Sequence, residues 1–374
     1  MGGMMPVPKG PLRHGYTTGA CATACAKGAL QTLITGRTVE SVEITIPTGA
    51  TVAFALQDVE RSGQAASATT IKDGGDDPDA THGARIIATV AWTDGLDIDI
   101  DGGTGVGRVT KPGLPIPVGL AAINPTPRRM IREVVEEVLA EHGIQRGVKV
   151  VISVPDGEKR AEKTLNGRLG IVGGISILGT RGIVVPFSTS SYQASINLAI
   201  RVAQAQGLQT LVLTTGGRSE KYAMQRFPNL PSEAFVEMGD FIGFSAMQAK
   251  RAGMKDLRIA GMMGKFSKVA QGVLKVHADN APIDFAFLAE VAHAAGVPDD
   301  RCAEILQANT ATQVGEWMVE LGYTQFFERL ARLACEQVNR HIGGGVRIET
   351  RLFSLQGEEW GGAVMDEQEK EVEF

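Results

Sequence analysis

The segment Lys72-Asp73-Gly74-Gly75-Asp76-Asp77-Pro78-Asp79 sets four carboxylates around two glycines. Carboxylates this close raise one another's pKa, so Asp76 or Asp77 can act as a general base or anchor a cation. A flexible acidic turn is the competing reading. Calcium-loop spacing and its terminal Glu are absent. Three glycine-bearing turns form a second group: Thr214-Thr215-Gly216-Gly217, Glu237-Met238-Gly239-Asp240 and Gly261-Met262-Met263-Gly264-Lys265. Each follows a short apolar run with strand character. The first offers hydroxyls and close backbone approach to a polar ligand. In the second, an acid at a strand end suits the hydroxyls of a ribose, although Asp240 equally suits an ordinary helix N-cap. Lys111, Arg128, Arg129, Lys265 and Lys268 gather near these loops. Such cations can hold a polyanionic ligand, or be merely solvated.

Other chemistries lack their motifs. There is no GxGxxG dinucleotide fingerprint and no Walker GxxxxGK[ST] loop, which disfavours NAD and ATP. No GxSxG, HExxH or kinase set occurs. Cys21 and Cys25, four apart, would share one helix face, but no CxxC and no nearby His completes a metal site, so small buried helix residues are expected. His82 and His277 read as loop or helix-end residues, and no metal is expected.

The elements that must position these groups divide in character near Pro186. Before it, Thr17–Leu33 reads as a helix of small residues, with Thr17-Thr18-Gly19 where an N-cap would sit. Strands are expected at Val42–Ile46, Thr51–Leu56, Ala68–Ile71, Arg85–Trp92 and Val148–Val154, and an amphipathic helix from Ile131 to Leu139. Between Asp101 and Arg128, eleven of twenty-eight residues are Gly or Pro. The apolar residues threaded through this stretch argue for an ordered loop walling a cavity, rather than a linker. After Pro186, short strands at Thr210–Leu213, Ala234–Met238 and Leu257–Ala260 alternate with helices near 191–206, 219–227, 240–251 and 265–276. Residues 284–341 read as mainly helical, and Val346–Leu355 as a last strand. The expected fold class is α/β in two domains: a mixed α+β domain over 1–186, then a Rossmann-like, doubly wound parallel-sheet domain over 187–356. Residues 357–374 hold seven acids against one Lys and read as a solvated acidic tail.

Without that tail the chain is nearly neutral, with 36 bases and 35 acids, which argues against a nucleic-acid partner. No apolar run is long enough to span a membrane, and the first ten residues lack the apolar core of a signal peptide, so the cytoplasm is the expected compartment.

These motifs, taken in order, resemble those of the cobalt-precorrin-5B C1-methyltransferase family, CbiD, from about Leu12 to Leu355. The resemblance is carried by GYTTGACATACAKGA at 15–29, KDGGDDPDATHGA at 72–84 and GVGRVTKPGLPIPVGLAAINPTPR at 105–128. It continues through LGIVGGISILGTRGIVVPFS at 169–188, TTGGRSE at 214–220, GDFIGFS at 239–245 and GMMGKFSKVAQG at 261–272. Gly217-Arg218 and Met262 depart from the family pattern, which has Asn and a small residue at the first place and often His at the second. The resemblance implies an S-adenosylmethionine-dependent C-methyltransferase acting on C-1 of a small-molecule tetrapyrrole, from cobalt-precorrin-5B to cobalt-precorrin-6A. On it, Thr214, Thr215, Gly216, Gly217, Glu237 and Asp240 are expected to hold the donor. Thr17, Thr18, Lys72, Lys111, Arg128 and Lys265 are expected to meet the substrate, with Asp76 or Asp77 as the base. A tetrapyrrole carrier without catalysis is the alternative. Homo-oligomerisation stays open.

Overall fold

In a computed structural model of the chain, residues 10–276 and 282–366 are described. The helix Thr18–Thr35 is buried along nearly its whole length, which only a run of Gly, Ala, Cys and Thr permits. Thr17 is its N-cap: the Thr17 hydroxyl accepts from the Ala20 N–H at 3.2 Å. The helix packs on the strands Ala65–Ile71 and Arg85–Thr93 and beside the helix Pro125–Glu141. Leu56 lies so close to Gly28 that a methyl group there would overlap it. All four cysteines are free and buried; Cys25 donates to the Ile86 carbonyl at 3.2 Å.

The chain divides into two compact units between Thr189 and Ser190. In the first, a five-stranded sheet runs Gln57–Ser62, Ala65–Ile71, Arg85–Thr93, Gly147–Ser153, Ile98–Gly102; all neighbours are antiparallel except the last pair. Its core is built from Ile86, Val90, Val150 and Ile152 against Ile131, Val135 and Val138 of the second helix. Gln57–Ser62 is missing from the sequence reading because it is a solvated edge, polar on both faces.

The Gly/Pro-rich stretch is ordered, as expected, yet its apolar residues turn inward. Val106 and Ile123 join the main core, while Val109, Ile116 and Ala122 form a small core with Ile171. Only Val118 and Leu120 stay well exposed. Short pairings stitch the stretch to residues 171–177: Gly105–Val106 runs parallel to Gly174–Ile175, and Arg108–Val109 antiparallel to Ile171–Val172. At their centre Gly105 has φ +70°, and a methyl group on it would overlap the Val154 carbonyl oxygen. Methyl groups on Gly157 or Gly174 would in turn strike the Gly105 carbonyl.

In the second unit a five-stranded sheet runs Phe235–Glu237, Thr210–Thr214, Asp256–Met262, Arg347–Phe353, Glu359–Met365. The first four strands are parallel and the last antiparallel. Glu359–Met365 lies inside the segment read as a solvated acidic tail, so that reading is corrected up to Met365; residues 367–374 lie outside the described residues. The reason is packing. The helix Gln325–Ile342 presses Phe327 onto Gly361, where a side chain would leave no room. His277 also lies outside the described residues. The chain thus has mixed α/β content with several sheets, and no described helix is long and apolar enough to cross a membrane.

The Gly105 contact makes a measurable claim. Gly105→Ala combines a left-handed backbone with a backbone collision and should destabilise the first unit by at least ~3 kcal/mol. Gly49→Ala, at φ +85° with open space around it, should cost only about 1 kcal/mol. Urea unfolding followed at Trp92, in the first unit's sheet, compares the two; equal losses would show that the collision carries no weight.

Candidate active site

The strand order of the second unit, numbered along the chain, is 2-1-3-4-5. The connections therefore leave the Thr210–Thr214 strand in opposite directions, and such a reversal opens a crevice at the carboxyl ends of the strands beside it. All three glycine turns fall at those ends. The register sets Thr214 directly between Glu237 and Ala260, and the Thr214 carbonyl accepts from the Met238 N–H at 2.8 Å.

Polar groups converge there. Lys265 Nζ donates to the Thr215 carbonyl at 2.7 Å and pairs with the Asp240 carboxylate at 3.0 Å. Asp240 is buried, and it does not cap the next helix, which starts at Ile242 behind Phe241. Thr215 and Ser219 share a hydroxyl contact of 3.3 Å, and Ser219 donates to the Gly216 carbonyl at 2.8 Å. The helices Gly217–Arg226 and Met263–Ala270 both start here without a side-chain cap, which leaves first-turn N–H groups facing the strand ends. The Thr214 hydroxyl is fully buried and has no hydrogen-bond partner.

Tyr192 reaches in from the helix Thr189–Ala205; its hydroxyl donates to the Glu237 carbonyl at 3.4 Å. Burial pushes its pKa up, and the carboxylates of Glu237, Asp240 and Glu220 push the same way. Lys268 is buried too, which lowers its pKa against the pull of Asp240.

The acidic segment belongs to the first unit. Lys72 is buried at 1% exposure and forms an ion pair with Asp79. Burial alone would raise Asp79, but the Lys72 charge and the hydrogen bonds from Lys72 and Thr81 hold it below the usual carboxylate range. Asp73 takes a two-pronged ion pair from Arg13. That bond, the Gly75 N–H and the Arg13 charge pull Asp73 down to about 2. Asp76 is exposed and accepts the Arg13 backbone N–H at 2.6 Å. Asp77 is half-buried and accepts the Phe187 N–H at 2.9 Å; burial raises its pKa. Phe187 itself has φ +53°, a strained angle for that residue. The turn is therefore a built loop, and its two central carboxylates differ: one pins backbone in solvent, the other is partly desolvated.

The remaining expected substrate contacts are tied to the protein itself. Thr18 Oγ1 accepts from the Leu178 N–H at 2.9 Å and the Thr17 N–H donates to the Gly182 carbonyl at 3.0 Å, which anchors the first helix to the 169–188 segment. Arg128 donates to the Ile100 carbonyl at 2.7 Å. Lys111 lies along Gly170. Lys265 stands with the glycine turns of the second unit, whereas the other five lie in the first.

A family model described as CbiD matches residues 5–186, and one described as CbiD, C-terminal domain, matches 275–363. The chain is 57% identical over 365 residues to the cobalt-precorrin-5B C(1)-methyltransferase of Geobacillus kaustophilus (strain HTA426), covering 98% of each chain. The chain belongs to the CbiD family. The protein of the same name from Priestia megaterium is 58% identical over 363 residues, covering 96% of this chain and 99% of that one. A solved structure of the cobalamin biosynthesis protein (cbiD) from Archaeoglobus fulgidus is 31% identical, covers 73% of this chain and 84% of that one, and superposes with a TM-score of 0.40.

The residues expected to depart from the CbiD pattern sit at the strand ends: Gly217 opens a helix and Arg218 is exposed, while Met262 stands before the next helix. Tyr192, Ser219 and Glu220 were not singled out as site residues in the sequence, and Lys268 was named only among the cations near these loops. Ser219 and Glu220 lie within TTGGRSE and a motif-wide reading would have reached them, but Tyr192 comes from a helix whose sequence gives no such signal.

The Arg13–Asp73 pair sets a pH dependence. In the unfolded chain the Asp73 carboxyl returns to its ordinary 3.8, while the folded state holds it near about 2. The stability it contributes is complete above the higher value and is lost as pH falls through that window. Asp73→Asn should flatten the acid limb of a melting-temperature profile there, at a cost of less than ~1 kcal/mol near neutrality for so exposed a pair.

Proposed function

We propose that this chain transfers a methyl group from S-adenosylmethionine to C-1 of cobalt-precorrin-5B, giving cobalt-precorrin-6A in cobalamin biosynthesis. The observation that carries the reading is the match over 98% of both chains to a cobalt-precorrin-5B C(1)-methyltransferase. We read the second unit as a Rossmann-like domain for the donor, in a cytoplasmic enzyme.

The strand ends suit that donor. It carries no phosphate, so a phosphate-cradling loop is unnecessary. Its ribose hydroxyls and ammonium group call for acceptors, which Glu237, Asp240 and Glu220 supply at one place. Its carboxylate calls for donors, which the uncapped first turn at Gly217 supplies. The unpartnered Thr214 hydroxyl adds a polar group beside the same turn.

When bound, S-adenosylmethionine supplies an electrophilic methyl carbon on a positively charged sulfur. The ring carbon of the tetrapyrrole would take that methyl group as the carbon–sulfur bond breaks, with S-adenosylhomocysteine as the leaving product. No serine, cysteine or histidine nucleophile is required. The task of the chain is to hold the reacting atoms in line and to keep water away, and positioning of this kind supplies much of a rate enhancement. Thr215, Gly216 and Gly217 hold the donor, and Glu237 orients its ribose. Asp77 takes the proton released when the ring shifts its double bonds. Its pKa, raised by burial, moves toward the value a base needs near neutrality, whereas Asp76 is bound to backbone in solvent.

Incubation with methyl-labelled S-adenosylmethionine and the cobalt-precorrin tests the reading. Label at C-1, located by NMR, is the expected result; binding of both ligands without transfer would instead indicate a carrier. Glu237→Gln should weaken S-adenosylhomocysteine binding about 10-fold in calorimetry, the loss of a charged hydrogen bond. Asp77→Asn should slow single turnover by about 10²-fold or more with donor saturating. An unchanged rate removes Asp77 from the role.

A further inference from the structure

We propose that Lys265, rather than contacting the tetrapyrrole, is a positioning residue that locks the three strand-end turns into one donor site. The inference rests on the functional reading above and assigns this lysine a different task from the one its sequence position implies.

The geometry is specific. Lys265 lies in the helix Met263–Ala270, directly after the strand Asp256–Met262. Its ammonium group pairs with Asp240, which follows the strand Phe235–Glu237, at 3.0 Å. It also donates to the carbonyl of Thr215, which follows the strand Thr210–Thr214, at 2.7 Å. One charge therefore ties together turns from three adjacent parallel strands, at the place where the strand order reverses.

A lysine set to bind an external carboxylate would keep its donors toward solvent. Here one proton goes to a carbonyl and another to a buried carboxylate, and the group is about one-third exposed (36%). The Thr215 carbonyl belongs to the turn that opens the uncapped helix Gly217–Arg226. Holding that carbonyl fixes the direction of the first-turn N–H groups. Asp240, in turn, needs the cation: buried at 8% side-chain exposure, its charge has to be compensated. A rearrangement of either turn would misplace both.

Four variants test this: Lys265→Met, Lys265→Arg, Asp240→Asn and the double variant Lys265→Met with Asp240→Asn. Each is checked for folding by thermal melting before use. The first readout needs no ligand: in Lys265→Met, amide hydrogen exchange at 215–220 should speed up about 10-fold, with exchange in the helix Pro125–Glu141 unchanged. The second is calorimetry with S-adenosylhomocysteine, where Lys265→Met should weaken binding about 10-fold or more and Lys265→Arg should recover most of the loss. The third is steady-state kinetics. The KM for S-adenosylmethionine should rise with the KM for the tetrapyrrole within about twofold. The double variant should be no weaker than Lys265→Met, because the two side chains act as one unit.

Unchanged exchange at 215–220 in Lys265→Met overturns the proposal. So does a rise confined to the tetrapyrrole KM, which would return Lys265 to substrate binding. If Lys265→Met does not fold, Asp240→Asn decides alone: it must speed the same exchange and weaken donor binding, and the proposal falls if it does neither. A wild-type chain that binds no S-adenosylhomocysteine but shows the exchange effect would sink the functional reading and leave the lock standing.

Discussion

Backbone packed directly on backbone is the constraint on which the first unit depends. Gly105 lies against the Val154 carbonyl, and Gly157 and Gly174 lie against the carbonyl of Gly105, so three chain segments cross where no side chain fits. Hydrogen bonds secure the crossing: the Gly103 N–H donates to the Ile152 carbonyl at 2.8 Å and the Gly107 N–H to the Ile175 carbonyl at 2.9 Å. Buried Asn166 donates to the Gly174 carbonyl at 3.1 Å. Because these backbone groups are satisfied by other segments, the Gly/Pro-rich stretch behaves as part of the core rather than as a loop over it. The same device recurs where Gly15 and Gly75 cross and hold the acidic turn against the chain at His14. The carboxylates of that turn inherit their separate environments from it.

The second unit solves its positioning problem with charge instead. Parallel strands end in a row, and the turns beyond them have no ladder to hold them. Lysines supply the fixings. Lys265 ties the first three strand ends, and Lys250 donates to the carbonyls of Ile342, Gly343 and Gly344 at 2.7, 3.2 and 2.7 Å, closing the end of the long helix that leads into the fourth strand. On the other side of that strand, Arg347 and Arg351 share Glu349, with Asp256 and Glu359 as further partners.

Much of this was legible in the sequence for a physical reason. Small-residue runs and strand patterning report burial, so Thr18–Thr35 and the parallel strands emerge close to their observed limits, whereas the helix Pro125–Glu141 was legible only over Ile131–Leu139, its first turn having read as part of the Gly/Pro-rich loop. Gln57–Ser62 and Glu359–Met365 do not, because an edge strand owes its conformation to a neighbour rather than to its own pattern. Residue types at the strand ends marked the place where groups converge. What each group does was not legible: Lys265 and Lys72 were alike expected to meet the substrate, yet one spans three turns and the other is sealed against Asp79. Partnering of that kind is set by contacts distant in sequence.

The charge at the strand ends bears on how a methyl-transfer cycle would turn over. Glu220, Glu237 and Asp240 act together on Tyr192, Asp240 and Lys265 act on Lys268, and Lys265 pairs with Asp240, so these five side chains carry a net charge of −1 when all are ionised. On the proposed reading the donor arrives with a net charge of +1 and leaves neutral once its sulfonium has lost the methyl group. The field that favours the donor therefore gives the product no such advantage, and in a partly buried site that difference is less screened than in water. On the same proposed reading, the lysine lock has a second function. By neutralising Asp240 it keeps the site from becoming so acidic that the donor, once bound, is held more tightly than the transition state, in which the positive charge is already fading.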